Sequence, residues 1–389
     1  MTTVNTAARD SVVQPLEIPD MRLPEFVLRQ ARSRGAKPAL IEADSGRQMS
    51  YARLADAVSG AAEWLSGAGV RPGDVVALVA PNGIEFVIAW YAASSAGAVV
   101  TTVNPVLTEE ELTSHLRRTG TRWLITTAAL FTGKLAAVVG QAPGLAGNFV
   151  LGAGPDVPGA RRFDALGFGI WRAPGSDDAS GGSRSADDVA FLPTSSGTTG
   201  RPKIVVLTHR SLVANLCMFT GAQHVTDSDV CIALAPMFHI YGFQATLNSG
   251  LVCGATIVIL PRFEFGAFLR AIQDYRVTRA DVVPPVAVLL AKSELVDEFE
   301  LSSLRLLTSA AAPLSIDVAR ACAKRLGVRV VQALGMTEIA GGTHFGLADG
   351  PDHPDSVGPA LPGVKCRVAD PDTGRDRGAR CALQAGAPR

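Results

Sequence analysis

Short apolar runs alternate with helix-length segments through the first half of the chain. A Pro-Gly-Asp turn at 72–74 introduces the first clear strand pattern, and Gly97 separates a helical pattern from the next strand. Thr108 precedes three acidic residues, which is a helix start signal, and Gly120 ends the same segment. The predicted elements of this α/β alternation are strands at 75–80 and 98–103 and helices at 84–96 and 109–118.

The second half repeats this rhythm with five apolar runs. The connections between consecutive runs are too long for hairpins and suit right-handed crossovers, so we expect a mostly parallel sheet. Ligands bind such sheets beyond the carboxyl ends of the strands, and we expect one cleft there, lined by four unusual loops. The strands are predicted at 230–235, 255–260, 279–283, 304–309 and 328–332, and the loops are PMFHIYG (236–242), VPPV (283–286), SAAAP (309–313) and QALGMTE (332–338).

Composition narrows the class of partner. With 47% hydrophobic and 19% charged residues among 389, the chain can bury a large interior. Its 36 basic and 36 acidic residues leave no net field to attract nucleic acid or an anionic membrane, so a small-molecule partner is favoured. The six cysteines include no closely spaced pair, which predicts buried thiols in a reducing cytoplasm rather than a zinc site.

The chain also shows no pattern of membrane insertion or secretion. The first twenty residues contain no apolar targeting segment, and we expect a cytoplasmic protein. The uncharged run at 86–103 is long enough to span a bilayer, but serine, glycine and threonine interrupt it. We interpret this run as a buried helix, a glycine stop and a strand, so no stable membrane insertion is expected.

The stretch TSSGTTGRPK at 194–203 has the composition of a phosphate-binding loop. Its glycines let the backbone present consecutive N–H groups to an anion, its hydroxyls add donors, and Lys203 adds a positive charge. This composition favours a triphosphate. The spacing differs from GxxxxGK[ST], and a strand pattern rather than a helix follows it, so it is not a P-loop. The alternative is a Ser/Thr/Gly-rich hairpin tip without a ligand.

Each of the other loops has a structural and a functional interpretation. His239 is either a hydrogen-bonded core histidine or a site residue beside Tyr241 at a strand end. The small residues of SAAAP either form a tight turn or let a flat ring approach the backbone. Thr337 and Glu338 suit a phosphate and its Mg²⁺, but they equally suit a helix N-cap and an acidic first turn. Their shared position at the strand ends favours function.

The ordered motifs TSSGTTGRPK, PMFHIYG, SAAAP, QALGMTE and VGPALPG resemble those of the adenylate-forming superfamily. This superfamily contains acyl-CoA synthetases, peptide-synthetase adenylation domains and luciferases, and the pattern is most similar to 4-coumarate:CoA ligases. The resemblance implies an ATP-dependent carboxylic acid:CoA ligase that forms an acyl-adenylate and pyrophosphate and then transfers the acyl group to CoA. It implies ATP, Mg²⁺ and CoA as cofactors or co-substrates and an aryl or fatty acid as substrate.

The resemblance also implies roles for individual residues. Lys203, His239, Thr337 and Glu338 would be catalytic, with Glu338 on Mg²⁺. The residues expected to bind the nucleotide are Thr194, Ser195, Ser196, Gly197, Thr198, Thr199, Gly200, Lys203, Ala311, Gln332, Ala333, Gly335, Met336 and Thr337. Arg262 would meet a CoA phosphate, unless it is an ordinary surface arginine. The acyl pocket, apolar with one polar group, would be formed by His239, Tyr241, Ala245, Thr308 and Phe345.

The implied fold is the N-terminal large domain of these enzymes, with two α/β subdomains of mostly parallel sheets and the start of a small β-barrel. The predicted ranges are 1–175 for the first subdomain, 176–188 for a linker, 189–345 for the second subdomain, 346–376 for the partial barrel and 377–389 for an aberrant tail.

The sequence departs from the family pattern at three places. Ile204 stands where the family usually has glycine, and Leu334 stands where an aromatic ring usually packs on adenine. The tail 377–389 holds three arginines and lacks the apolar alternation of a barrel strand. We therefore expect a frameshift or premature stop near Arg377, absence of the mobile C-terminal domain with its catalytic lysine, and slow or no ligation. The alternatives are an adenylating enzyme that loads a carrier protein and a non-catalytic remnant that binds acyl groups or nucleotide.

Overall fold

The computed structural model describes residues 16–142, 144–167, 185–195, 202–346, 353–370 and 372–375. Within these ranges the chain forms strands and helices in alternation. The strands are β1 Pro38–Glu42, β2 Gln48–Ser50, β3 Val75–Val79, β4 Val99–Thr102, β5 Thr121–Thr127, β6 Gly147–Leu151, β7 Arg161–Phe163, β8 Val189–Phe191, β9 Thr194–Ser195, β10 Lys203–Ile204, β11 Leu207–Thr208, β12 Val230–Ala233, β13 Thr256–Ile259, β14 Arg279–Val282, β15 Leu306–Ser309, β16 Arg329–Met336 and β17 Gly341–Phe345.

Helices connect most of these strands. The α-helices are α1 Leu23–Leu28, α2 Tyr51–Ala68, α3 Ile84–Ser95, α4 Glu109–Thr119, α5 Ala128–Leu130, α6 Ala136–Gln141, α7 His209–Gln223, α8 Ser249–Cys253, α9 Phe265–Asp274, α10 Pro284–Lys292 and α11 Ile316–Leu326. Residues Phe131–Leu135 and Tyr241–Asn248 are π-helical, and Glu294–Glu298 and Thr337–Ile339 are 3₁₀-helical.

The strands form two large sheets and one short hairpin. The seven-stranded sheet has the order β11-β8-β4-β3-β5-β6-β7, and the eight-stranded sheet has the order β17-β16-β15-β14-β12-β13-β1-β2. Antiparallel pairing occurs at the ends of these orders, in β11-β8, β16-β17 and β1-β2. The pairs between these ends are parallel, so the predicted α/β class with mostly parallel sheets is confirmed.

Local sequence signals explain the elements of the first half. Thr108 caps α4 by accepting a hydrogen bond from the backbone N–H of Glu111, whose side chain returns to the Thr108 N–H in a capping box. Gly120 ends this helix in the left-handed conformation, at φ 64°. The uncharged run at 86–103 contains the buried helix α3, a left-handed Gly97 and β4, as predicted.

Each large sheet contains strands from both predicted subdomain ranges. β1 and β2, from the N-terminal part of the chain, lie in the eight-stranded sheet beside β13, whereas β8 and β11 extend the seven-stranded sheet. In the predicted barrel range 346–376, the described residues form one bridge to the sheet, between Ala360 and His344. The predicted ranges, including the linker 176–188 and the tail 377–389, stay predictions, and most of the linker and the whole tail lie outside the described residues.

A common hydrophobic core joins the two sheets. Trp90 of α3 packs against Phe243 of the second π-helical segment, with ring centroids 4.4 Å apart, and Phe243 packs against Phe191 of β8 at 5.1 Å. All three rings are fully buried. Among the described helices, none is long and apolar enough to cross a membrane.

Candidate active site

A cavity of about 490 Å³ opens beyond the carboxyl ends of β12, β15 and β16. Its wall contains residues from three of the four predicted loops, represented by His239, Ala311 and Glu338. The fourth loop, VPPV, is not part of this wall. Its prolines begin helix α10, a position that suits a residue without an N–H donor. The prediction of a cleft at the strand ends therefore agrees with the structure for three loops.

The short β9–β10 hairpin brings two predicted phosphate-binding residues to the cavity. Lys203 lies opposite Ser195 in antiparallel register, Ile204 lies opposite Thr194, and both Ser195 and Lys203 line the wall. The Ser195 hydroxyl is buried and has no hydrogen-bond partner among the described residues, so it suits a polar ligand. The remaining loop predictions, for Ser196, Gly197, Thr198, Thr199 and Gly200, lie outside the described residues.

His239 lines the cavity at the start of the second π-helical segment. Its Nδ1 accepts a hydrogen bond of 3.2 Å from the backbone N–H of Tyr241. Partial removal of the imidazole from water lowers the pKa of His239 below its ordinary value. The neutral ring therefore carries its proton on Nε2, which leaves one N–H donor for a ligand.

Two of the predicted acyl-pocket residues, Tyr241 and the small residue Ala245, line the cavity. The Tyr241 hydroxyl donates to the carbonyls of Val282 and Thr308, at 3.2 and 3.3 Å, and burial raises the pKa of Tyr241 well above its ordinary value. The phenol is thereby fixed to the ends of β14 and β15. Of the predicted acyl-pocket residues, Thr308 lies behind this ring instead of in the wall, since its carbonyl serves as the acceptor.

Phe345 also lies behind the wall, contrary to the predicted contact with the acyl group. It is fully buried and packs edge-to-face on Phe219, with centroids 5.3 Å apart, and Phe219 is the ring that faces the cavity. Phe345 belongs to a buried core cluster that also contains Phe219, Val331 and Leu361.

The predicted nucleotide wall is built from the ends of β15 and β16. Ala311 lines the cavity with a left-handed backbone, φ 72°, which is uncommon for a residue with a Cβ and occurs often at functional sites. β16 is longer than predicted and extends through Met336, because β17 folds back and supplies backbone partners to 333–336. Ala333, Gly335 and Met336 line the cavity on this extension.

Gln332 is a predicted nucleotide-binding residue whose side chain makes its hydrogen bonds outside the cavity. Its Oε1 accepts from the Leu314 N–H at 3.0 Å, and its Nε2 donates to the Pro354 carbonyl at 2.7 Å. Gln332 is buried and does not line the cavity. It therefore fixes the segment after SAAAP, behind the wall.

Thr337 and Glu338 stand next to each other at the cavity, the first buried and the second exposed. They begin the 3₁₀ turn Thr337–Ile339, so the structural and the functional interpretation of this pair both fit its position. Within the described ranges, no group of three or more His, Cys, Asp or Glu side chains could hold a metal ion by itself. Arg262 is exposed beyond β13 and does not line the cavity.

Several wall residues carry no motif and were not predicted. Asn215 of α7 donates from Nδ2 to the Gly342 carbonyl at 2.8 Å, and a Cβ on Gly341 would come within 2.4 Å of Asn215 Oδ1. Gln244 donates to the Leu212 carbonyl at 3.0 Å. An amide side chain on a largely apolar helix could have indicated a site role for Asn215. Its hydrogen-bond partner, Gly342, is distant in sequence, so the contact itself was not predictable. The wall residues outside the predicted motifs are Asn215, Phe219, Gln244, Gly341 and Gly342, whereas Ile240, Ala310 and Leu334 lie within those motifs.

Comparison with known proteins places this arrangement in a family. Residues 27–382 match the model of a family described as AMP-binding enzyme. The 4-coumarate--CoA ligase 5 of Oryza sativa subsp. japonica is 33% identical over 370 residues, which cover 92% of this chain and 66% of that protein.

Two solved structures share the fold over most of the chain. The anthranilate CoA ligase AuaEII in complex with anthranoyl-AMP has a TM-score of 0.83 at 25% identity, covering 93% of this chain and 68% of that one. ATP-bound MatB from Rhodopseudomonas palustris has a TM-score of 0.77 at 27% identity, covering 92% and 68%. The chain thus spans about two thirds of the length of the relatives it matches. By its sequence and its fold, this chain belongs to the AMP-binding enzyme family.

Proposed function

We propose that the chain carries the adenylate-forming site of an ATP-dependent carboxylic acid:CoA ligase. The observation that carries this proposal is the meeting of Ser195, Lys203, His239, Thr337 and Glu338 in one cavity of about 490 Å³. This set combines cationic, hydroxyl, imidazole and carboxylate groups beside an apolar wall. The 4-coumarate ligase relative and the anthranoyl-AMP complex of the structural neighbour support the same reaction class.

The carboxylic acid is proposed to bind on the side of His239 and Tyr241. The Nε2–H of neutral His239 donates a hydrogen bond to the carboxylate of the acid and adds no full positive charge beside it. The body of the acid then lies against Phe219 and Ala245. This wall suits an aryl ring or a short fatty chain, and Gly342 beside Phe219 keeps the space open.

The nucleotide is proposed to lie against the β15 and β16 ends, with its phosphates toward Ser195 and Lys203. The Ser195 hydroxyl, which has no hydrogen-bond partner within the described part of the chain, and the exposed Lys203 ammonium fit a polyphosphate. Adenylation needs charge neutralisation and positioning of the α-phosphorus, and the Thr337 hydroxyl is proposed to donate a hydrogen bond to an α-phosphate oxygen. Arg262 is assigned no contact within this cavity, and its predicted role toward CoA stays a proposal.

Glu338 is the proposed protein ligand of Mg²⁺. A single exposed carboxylate fits this cation, because Mg²⁺ keeps several waters and is commonly shared with substrate phosphates. When bound, the cation would neutralise phosphate charge. Glu338 would hold it at the α-phosphate end of the site, next to Thr337.

The test is a mass-spectrometric screen of aryl and medium-chain acids with ATP, Mg²⁺ and CoA, paired with measurement of pyrophosphate release. We expect slow acid-dependent release of pyrophosphate with at least one aryl acid, with little or no acyl-CoA, and His239→Ala should abolish the acid dependence. Acyl-CoA formation with CoA, and its replacement by an acyl-carrier product when a carrier protein is supplied, identifies the acceptor. Absence of any acid-dependent adenylate, together with absence of binding of acid or ATP, would refute the proposal.

A further inference from the structure

The loop that carries His239 forms hydrogen bonds with side chains at the ends of strands β3 and β4 of the seven-stranded sheet. We define the His239 loop as residues 234–240, which connect β12 to the second π-helical segment. Some of its own backbone groups pair locally, such as the His239 N–H with the Pro236 carbonyl at 3.0 Å. Others are satisfied by two side chains of the seven-stranded sheet, Asn82 and Thr102.

Asn82 lies in the turn between β3 and α3 and is 8% exposed. Its Oδ1 accepts from the Met237 N–H at 2.7 Å, and its Nδ2 donates to the Ala235 and Leu260 carbonyls, at 3.2 Å each. One side chain thus uses its acceptor and both amide hydrogens on the carboxyl ends of β12 and β13. A buried amide with all these partners fixes backbone position more strictly than an apolar contact does.

Thr102 is the last residue of β4 and is 1% exposed. Its Oγ1 donates to the Phe238 carbonyl at 2.7 Å, on the residue directly before His239. The loop is therefore held at Ala235, Met237 and Phe238 by side chains from neighbouring strand ends, since β3 and β4 pair in parallel.

The turn that carries Asn82 is itself held by the other sheet. Glu42, at the end of β1, accepts from the Ile84 N–H at 3.2 Å, and Arg47 bridges Glu42 and Glu85. Gly242 adds a steric constraint, because a Cβ there would come within 2.5 Å of the Pro236 carbonyl oxygen. The His239 loop therefore has little room to relax without moving the first sheet.

We infer that Asn82 and Thr102 are positioning residues, which act through the His239 loop to set where the imidazole faces the cavity. The expected effect on acid binding rests on the proposed function, whereas the expected effect on the position of the imidazole does not. Asn82 and Thr102 do not belong to the cavity wall, so they act only through the loop.

The test uses Asn82→Ala and the nearly isosteric Thr102→Val. The matched control is Thr126→Val, because the Thr126 hydroxyl is equally buried but donates to the Val79 carbonyl instead of to the His239 loop. The first readout is the ¹⁵N spectrum of histidine-labelled protein, in which the His239 signals are identified by their loss in His239→Gln. In the wild type, the Nδ1 and Nε2 shifts should be those of the Nε2–H tautomer. In both positioning variants we expect them to move toward tautomer-averaged values, whereas Thr126→Val leaves them in place.

The second readout separates this inference from the proposed function. The dissociation constant for the acid should rise roughly tenfold in Asn82→Ala, as for loss of a buried hydrogen bond, while that for ATP changes less than about twofold. In a His239→Ala background, Asn82→Ala should have no further effect on acid binding.

Three outcomes would overturn the inference: unchanged imidazole shifts in both variants, equal shifts in Thr126→Val, or full additivity with His239→Ala. If Asn82→Ala does not fold, Thr102→Val decides alone. If the wild type binds no acid, the proposed function fails, and the imidazole spectra still decide whether these residues position His239.

Discussion

Removal of the Lys203 charge tests the proposed polyphosphate position. Lys203 is exposed at the cavity, opposite Ser195, and Lys203→Met keeps most of its length while deleting its charge. Two unit charges about 4 Å apart interact by about 4 kcal/mol at an effective dielectric constant of ~20 and by about 1 kcal/mol in bulk water. Because Lys203 is exposed, we expect a loss nearer the lower limit, ~1–2 kcal/mol, or about five- to thirtyfold in the dissociation constant for ATP.

The assay is calorimetric titration with ATP and Mg²⁺ at low and at high ionic strength. The difference between wild type and Lys203→Met should shrink at high salt, because exposed charges are screened. The matched control is Lys292→Met, an exposed lysine at the end of α10 outside the cavity, which should bind ATP like the wild type. Equal ATP affinity of Lys203→Met and wild type at low salt would refute the assignment of the phosphate side.

Three further predictions test the walls and the core. Gly342→Val should weaken binding of an aryl acid by roughly 1–3 kcal/mol, the usual range for overpacking, and should weaken binding of ATP less. The reason is that a Cβ at Gly342 would come within 2.8 Å of the Phe219 ring. Calorimetry with both ligands checks this. Leu334→Tyr, at a 43% exposed wall position, should tighten ATP binding by ~0.5–1.5 kcal/mol if a ring there stacks on adenine, and unchanged affinity would contradict this. Burial lowers the pKa of His115 to about 4, below the ordinary ~6.5 of an unfolded chain. The free energy of unfolding should therefore fall as the pH drops from ~6.5 toward ~4. His115→Gln should flatten this pH dependence, as measured by urea titrations.

Much of the fold could be predicted from local signals. The capping box of Thr108, the left-handed Gly120 and the apolar runs of β12 to β15 act within a few residues, and these elements formed close to where they were expected. The pairing of β1 with β13 could not be predicted in this way. It joins residues far apart in the chain, and each strand alone shows only that it is buried on both faces.

The site was predictable where chemistry and strand ends coincide, and not where the wall depends on packing. His239, Thr337 and Glu338 follow strands and line the cavity. Phe345 had the expected apolar character but lies one layer behind Phe219, a difference that depends on packing against the distant helix α7. Asn82 carries no recognisable motif, since its role depends on carbonyls in the other sheet.

The central claim is that this cavity holds an acyl-adenylate, and direct binding of a stable mimic tests it. The measurement is calorimetric titration of the protein with an aroyl-sulfamoyl adenosine, which joins both halves of the proposed ligand. We predict saturable binding with a dissociation constant of roughly micromolar or tighter, which ATP competes away and which His239→Ala and Lys203→Met each weaken. No binding of the mimic, or binding that neither substitution affects, would contradict the account.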